Sequence, residues 1–272
     1  MIPIAGSAYA YAYVTMGEFM AWIIGWALVL EYALASATVS IAWSEYLNNL
    51  VFELSGKNIP YEWCHSPFQT SLDGVSGIVN VPALFILVIL TLVLIKGTQE
   101  SATLNAIIVF IKVSIVLIFI AIGWGFINDA NYTPFTIPAD MPGHEPWNRH
   151  GWFGVLGGAG IVFFAFIGFD AVSTAAQEAK NPKRDMPIGI LGSLVVCTIL
   201  YVLFSHVLTG VANWQEFKVA GKEASVAYAI KTYMAGYGWL STLVTIAILA
   251  GFSSVILVML LGQSRVFYSM SK

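Results

Sequence analysis

The chain has 272 residues, of which 58% are apolar and only 10% charged, with a formal net charge of −3. A soluble domain of this length could not bury so much apolar surface, and several runs exceed the ~18 residues that suggest a spanning helix. The class is therefore an all-α polytopic membrane protein, and the lack of a basic tract with interleaved aromatics argues against nucleic acid as a partner.

Six spans are read in chain order. The first covers residues 18–44, with Trp22, Trp26 and Trp43 as interface anchors; before it, the segment MIPIAGSAYAYAYVTMGE lacks the charged start of a signal peptide. A polar loop through Asn48, Lys57, Cys64 and Asp73 follows. Pro82 opens the second span, 81–97, and the tight link Lys96-Gly-Thr-Gln-Glu-Ser leads to the third, 102–127. Pro134, Pro138, Pro142 and Pro146 hold an extended loop before the fourth, 152–178. The fifth covers 188–211, a segment with Lys218, Lys222 and Lys231 contains a short surface helix, and the sixth covers 238–267. Basic residues in the short loops place those loops and both termini in the cytoplasm.

The fourth span organises the rest. Gly151, Gly154, Gly157, Gly158 and Gly160 crowd its first half, Gly168 interrupts the second, and Asp170 sets a carboxylate in hydrocarbon. Each glycine weakens a helix by about 1 kcal/mol relative to alanine, and a carboxylate near a membrane centre costs roughly 2.5 to 3.5 kcal/mol on insertion scales. A helix that unwinds here leaves main-chain carbonyls, next to the negative dipole end of the preceding half, facing a cavity. That arrangement suits an ammonium group such as an amino acid's. Phe163, Phe164, Phe166 and Phe169 flank the break, either facing lipid or walling the site. Asp170 caps loose backbone donors, a role that also shapes the site.

Other polar residues lie at membrane depth. Lys112 sits about 14 Å into its span, where a lysine either deprotonates or finds an anion or several oxygen acceptors. It is read as a structural tie to a neighbouring helix or as a titrating group that couples transport to protons. Glu31 either pairs with a polar group of another helix or shapes the pocket for a substrate side chain. Ser253 and Ser254, halfway along the sixth span, are packing residues or hydroxyls that meet Lys112. His206 is an interfacial hydrogen-bonding residue. His65, His144 and His150 have no ligand spacing, and Cys64 and Cys197 are too few and too far apart for a disulfide framework or zinc site. No metal or cofactor is expected, and the absence of paired catalytic carboxylates or a nucleophile with a positioned base argues against an enzyme.

The stretch FFAFIGFDAVSTAAQEAKNPKRDMPIGI closely resembles the sixth transmembrane helix and following loop of amino acid permeases of the amino acid-polyamine-organocation superfamily. GSAYAYAYVTMGEFMAWIIGWALVLEY is similar to the second-to-third-helix region of their cationic amino acid transporter branch, and LLGQSRVFYSMSK is similar to the eighth helix. The resemblance implies a partial inverted five-helix-repeat transporter fold with six transmembrane helices, one discontinuous. These would be the third to eighth of twelve or more, without the first helix, whose glycine-rich break binds the substrate carboxylate. It further implies that the carbonyls of Phe164, Ala165 and Ile167 hold the substrate amino group, with Phe166 as an aromatic gate and Asp170 supporting the break. Lys112 matches the fifth-helix lysine that takes the place of a sodium ion in proton-coupled members, and Ser253 and Ser254 lie on the facing eighth helix. Gln177 departs from the first glutamate of a common Glu-Glu pair, while Glu178 remains. The expected protein is a secondary active amino acid transporter of the plasma membrane, with an amino acid as substrate, the proton as coupling ion and the lipid bilayer as surroundings. The alternative is a non-transporting amino acid sensor or an inactive remnant.

Overall fold

A computed structural model describes residues 6–71, 74–96, 98–138, 150–168, 172, 181–218 and 225–271. Among these the architecture is all-α, with a lone antiparallel bridge between Thr70 and Ser76. The helices are α1 (Ser7–Met16), α2 (Glu18–Ser55), α3 (Val81–Lys96), α4 (Thr98–Gly123), α5 (Gly151–Val162), α6 (Pro182–Val211), α7 (Ser225–Tyr233) and α8 (Gly238–Met270). The stretches long and apolar enough to cross a membrane are α2, Ala106–Phe126, Lys183–Val211 and α8, while α3 and Gly151–Phe166 are shorter.

The polar loop expected after residue 44 begins only at Gly56. Leu47, Leu50, Val51 and Leu54 continue the apolar helical spacing beyond Ser44, and nothing breaks it until Gly56 turns left-handed and donates its N–H to the Phe52 carbonyl at 2.9 Å. At 1.5 Å per residue α2 is about 57 Å long, well beyond what a hydrocarbon core of roughly 30 Å requires. Its N-terminal neighbour α1 is a helix the apolar count did not single out, and it packs alongside α2 with Tyr9 close to Gly25. Asn80 caps α3 by accepting from the Ala83 N–H at 3.0 Å.

The spine of the fold is the antiparallel pair α2 and α8. Met270 packs over Gly25 and Tyr32 against Gly262; Phe252 meets the Tyr46 ring edge-on at 5.8 Å, and the Thr242 hydroxyl donates to Glu53 at 3.2 Å. Each step up one helix matches a step down the other. The opposite flank is a cluster of Phe119 from α4, Val207 and Val211 from α6, Ile230 from α7 and Leu240 and Val244 from α8. The short helix expected near the surface is thus α7, and its inner face is fully engaged: Ala227, Ala229 and Ile230 are buried. Lys231 on its outer side pairs with Glu53 at 2.6 Å. Of the loop residues, Cys64 is buried, which pushes its thiol up, and the His65 ring stacks on Tyr61 at 3.7 Å.

Candidate functional site

The main chain stops being α-helical at Val162. Residues Phe163–Phe166 tighten into one 3-10 turn, Ile167 is extended at φ −60° and ψ 134°, and Gly168 takes φ +106°. Only glycine adopts that last conformation without strain. A Cβ on Gly168 would stand 2.6 Å from the Met259 methyl of α8, the tip of a flexible side chain that can shift, so it is conformation rather than space that demands glycine. The tightened turn uses one of its own carbonyls, Phe164, to accept the Ile167 N–H at 3.2 Å. The next carbonyl, Ala165, accepts instead from the Tyr201 hydroxyl of α6 at 3.0 Å, and the Phe166 ring meets the Tyr201 ring edge-on at 5.3 Å. Asp170 and the remainder of the fourth span up to residue 178, Val172 excepted, fall outside the described residues.

One cavity flanks this break and a larger one adjoins it. The smaller, about 220 Å³, is lined by Ala165, Ile167, Gly168, Ser193, Ser254 and Met259 among others. The larger, about 440 Å³, lies between α2, α4, α6, α7 and α8 and contains Lys112. Cys197, Tyr201 and Val255 belong to both linings, so the two adjoin. Their depth follows from helix rise. Lys112 is about 17 Å from the α4 end at Gly123, and Tyr201 about 15 Å from the α6 end at Val211; those ends are neighbours, with Gly123 against Val207. The site therefore sits about halfway along the apolar helices.

Lys112 reaches α8 at a position the sequence reading passed over. A Cβ on Gly251 would lie 3.0 Å from Lys112 Cδ and 4.0 Å from Nζ, so the absence of a side chain there is what admits the lysine stem. The walls around the amine are apolar, with Tyr46, Cys197 and Tyr201 supplying the polar atoms and no carboxylate among the described lining residues. The two serines divide. Ser254 is buried in the wall of the smaller cavity, whereas Ser253 turns its hydroxyl back to the Leu249 carbonyl at 2.8 Å and lines neither. Glu31 is half-buried on α2 and lines neither cavity, and Phe164 is 41% exposed beside them. His206 stacks on Tyr132 at 4.9 Å, and the Tyr132 hydroxyl donates to the His206 carbonyl at 2.8 Å.

Tyr201 and Gly251 are the two site residues that sequence reasoning missed. Both had a signal: Tyr201 follows Cys197 by one turn within an apolar run, placing two polar tips on one face at depth, and Gly251 interrupts a span whose lysine partner lies at matching depth.

A helix that ends partway along its neighbours, with its last carbonyls beside a cavity, fits the way membrane carriers build their sites, in which freed backbone is tolerated only where it lines a cavity or is buried in protein. The amino acid permease family model matches residues 1–272, and the chain belongs to that family. It is 41% identical over 271 residues to a branched-chain amino acid permease of Bacillus subtilis (strain 168), covering 100% of this chain and 54% of that protein. It is 38% identical over 276 residues to a methylthioribose transporter of the same bacterium, covering 100% of this chain and 54% of that protein. It is 35% identical over 271 residues to cationic amino acid transporter 9, chloroplastic, of Arabidopsis thaliana, covering 99% of this chain and 44% of that protein. The chain spans about half the length of the curated relatives it matches.

Proposed function

We propose that the chain is part of a proton-coupled secondary active amino acid transporter of the plasma membrane, working by alternating access. The observation that carries this reading is the break after α5, where the turn Phe163–Phe166 gives way to extended Ile167 and Gly168 beside a cavity that adjoins the one holding Lys112. The last turn of a helix concentrates negative partial charge at its carbonyls, so an ammonium group is the ligand the break favours. The carbonyls of Phe164, Ala165 and Ile167 would take the substrate amino group, with Phe166 as gate, Asp170 supporting the break and Ser254 on the facing wall. Lys112, whose stem lies on Gly251 of α8, would exchange the coupling proton and so tighten or loosen the contact between α4 and α8.

The lining also bears on substrate class. The larger cavity is apolar and its charged group is a lysine, which repels a cationic side chain and accommodates a neutral one. This favours a branched or other neutral amino acid, as in the name of the Bacillus branched-chain permease, over a cationic one. Glu31, away from both cavities, then serves α2 packing. The methylthioribose transporter's likeness favours a second reading, in which the same carbonyls accept hydroxyls of a neutral sugar derivative.

The test is uptake by the complete gene product in proteoliposomes under a proton gradient, with radiolabelled leucine and unlabelled methylthioribose as competitor. Leucine accumulation that collapses with the gradient supports the reading, and the Lys112→Ala variant should lose the pH dependence. Binding without accumulation would make the protein a sensor. Displacement by methylthioribose and not by other amino acids would move the substrate class to the sugar derivative.

A further inference from the structure

We propose that the Tyr201 hydroxyl is a stand-in for the substrate ammonium: it keeps the Ala165 carbonyl paired when no cargo is bound and yields that acceptor to an incoming amine. This rests on the amino acid transport reading above. Two carbonyls of the last turn have partners of different kinds. The one on Phe164 is held by the Ile167 main-chain N–H, a donor that cannot leave without rebuilding the turn. The one on Ala165 is held by a side-chain tip from another helix, at 3.0 Å. Only the second partner can be displaced by rotating a side chain.

Tyr201 also has somewhere to go. It stands in the wall common to both cavities, with the 440 Å³ space on one side and the break on the other, and its ring is 39% exposed. The edge-on contact with Phe166 guides the ring without clamping it. A carbonyl left unpaired at this depth is costly, so the break needs a donor whenever a ligand does not supply one. When an amine arrives the exchange runs in its favour, because hydrogen bonds from a charged donor are roughly twice as strong as neutral ones.

The sign of one substitution tests this. Y201F removes the hydroxyl and keeps the ring, so the unloaded form loses a hydrogen bond that the loaded form does not need. Substrate binding should therefore tighten by roughly two- to tenfold, the equilibrium equivalent of one net hydrogen bond. A hydroxyl that merely braced the turn would give weaker binding on removal. The gain should be confined to ligands with a donor at the amino position: competition by the matching α-keto acid should be the same in both proteins. Half-saturation constants would be measured in proteoliposomes of the complete gene product, first with a radiolabelled mixture of the common amino acids and then with the one best carried. As a second readout that needs no mutation of the hydroxyl, fluorotyrosine at position 201 should change its fluorine resonance on addition of that amino acid and not of the keto acid. Weaker or unchanged binding in Y201F, or a resonance indifferent to substrate, overturns the proposal. Failure of the unmutated protein to bind or carry any amino acid overturns the transport reading first, and the role of Tyr201 with it.

Discussion

The α2–α8 pair and the α5–α6 arm occupy the same fold but are held by different kinds of force. In the most apolar windows of α2 and α8, 39% and 44% of residues are buried, while in that of α6 the figure is 0%. The pair relies mainly on distributed contact: Tyr32, Ile256 and Val266 are fully enclosed, and of the four matched positions along the two helices three are packing contacts and one the Thr242 to Glu53 hydrogen bond. The arm packs into the α4–α7–α8 cluster through Val207 and Val211 at the far end of α6, but around the break its described part relies on a few directed contacts, chiefly Tyr201 to Ala165, Phe166 to Tyr201 and Gly168 to Met259. Distributed packing resists change at any one point, and directed contacts can be exchanged one at a time. A carrier needs both, a frame that stays and a joint that can release its bonds to a ligand.

The comparison makes stability and transport separable. The largest effect is expected from Tyr32→Ala, which empties a fully enclosed site on the spine: about 3–5 kcal/mol of stability should be lost, as for other large aromatic truncations. Unfolding in mixed micelles measures it, and a loss under about 1 kcal/mol, well below the usual range for such sites, would mean the spine is not the frame. Next comes Gly251→Val, which places methyl groups where the Lys112 stem lies. Overpacking of this kind costs roughly 1–3 kcal/mol. The sharper readout is the pH profile of uptake, which should flatten if the lysine is pushed off α8. A normal profile in a folded variant would detach Lys112 from coupling.

The all-α membrane class was open to reading from composition, because apolar runs of spanning length have no other stable form in lipid. So was the break, since glycine at position 168 after a run of bulky aromatics is a local cost with a local consequence. The extent of α2 was misjudged for a reason equally local: Asn48, Asn49 and Glu53 read as loop, yet they ride on a helix whose apolar spacing continues beneath them. What stayed hidden was pairing across the fold. Nothing in a linear pattern says that Tyr201 meets Ala165 or that Gly251 faces Lys112, because both depend on the relative rotation of helices that packing alone sets. The same rotation turned Ser253 toward its own helix and Ser254 toward the cavity, a distinction that adjacency in sequence could not supply.

Directed contacts also fasten α7, and there Lys231 is exposed, so solvent can weaken them. The Glu53 side chain is 9% exposed and Lys231 44%, so Lys231→Met leaves a largely buried carboxylate with the Thr242 hydroxyl as its remaining donor among the described residues. Solvent around the lysine tempers the cost to about 1–2 kcal/mol, between the surface and buried limits. Thermal unfolding of single and double variants with Glu53→Gln should show coupling between the two, and additive effects would dissolve the pair. The smallest effect belongs to Tyr233, which donates to Glu216 Oε1 while Tyr228 donates to Oε2 at 3.0 Å. The hydrogen bond to Glu216, then burial and the charge of that carboxylate, push the Tyr233 phenol from its ordinary 10 up to about 12. The raised value belongs to the folded state, so the contribution to α7 docking is fully present below pH 10 and fades as pH rises through about 12. An ultraviolet tyrosinate titration should therefore lose one late-titrating group in Tyr233→Phe, while the docking of the buried face through Ala227 and Ile230 persists. If the late group survives in the variant, the carboxylate does not hold Tyr233, and α7 is fastened by packing in the manner of the spine.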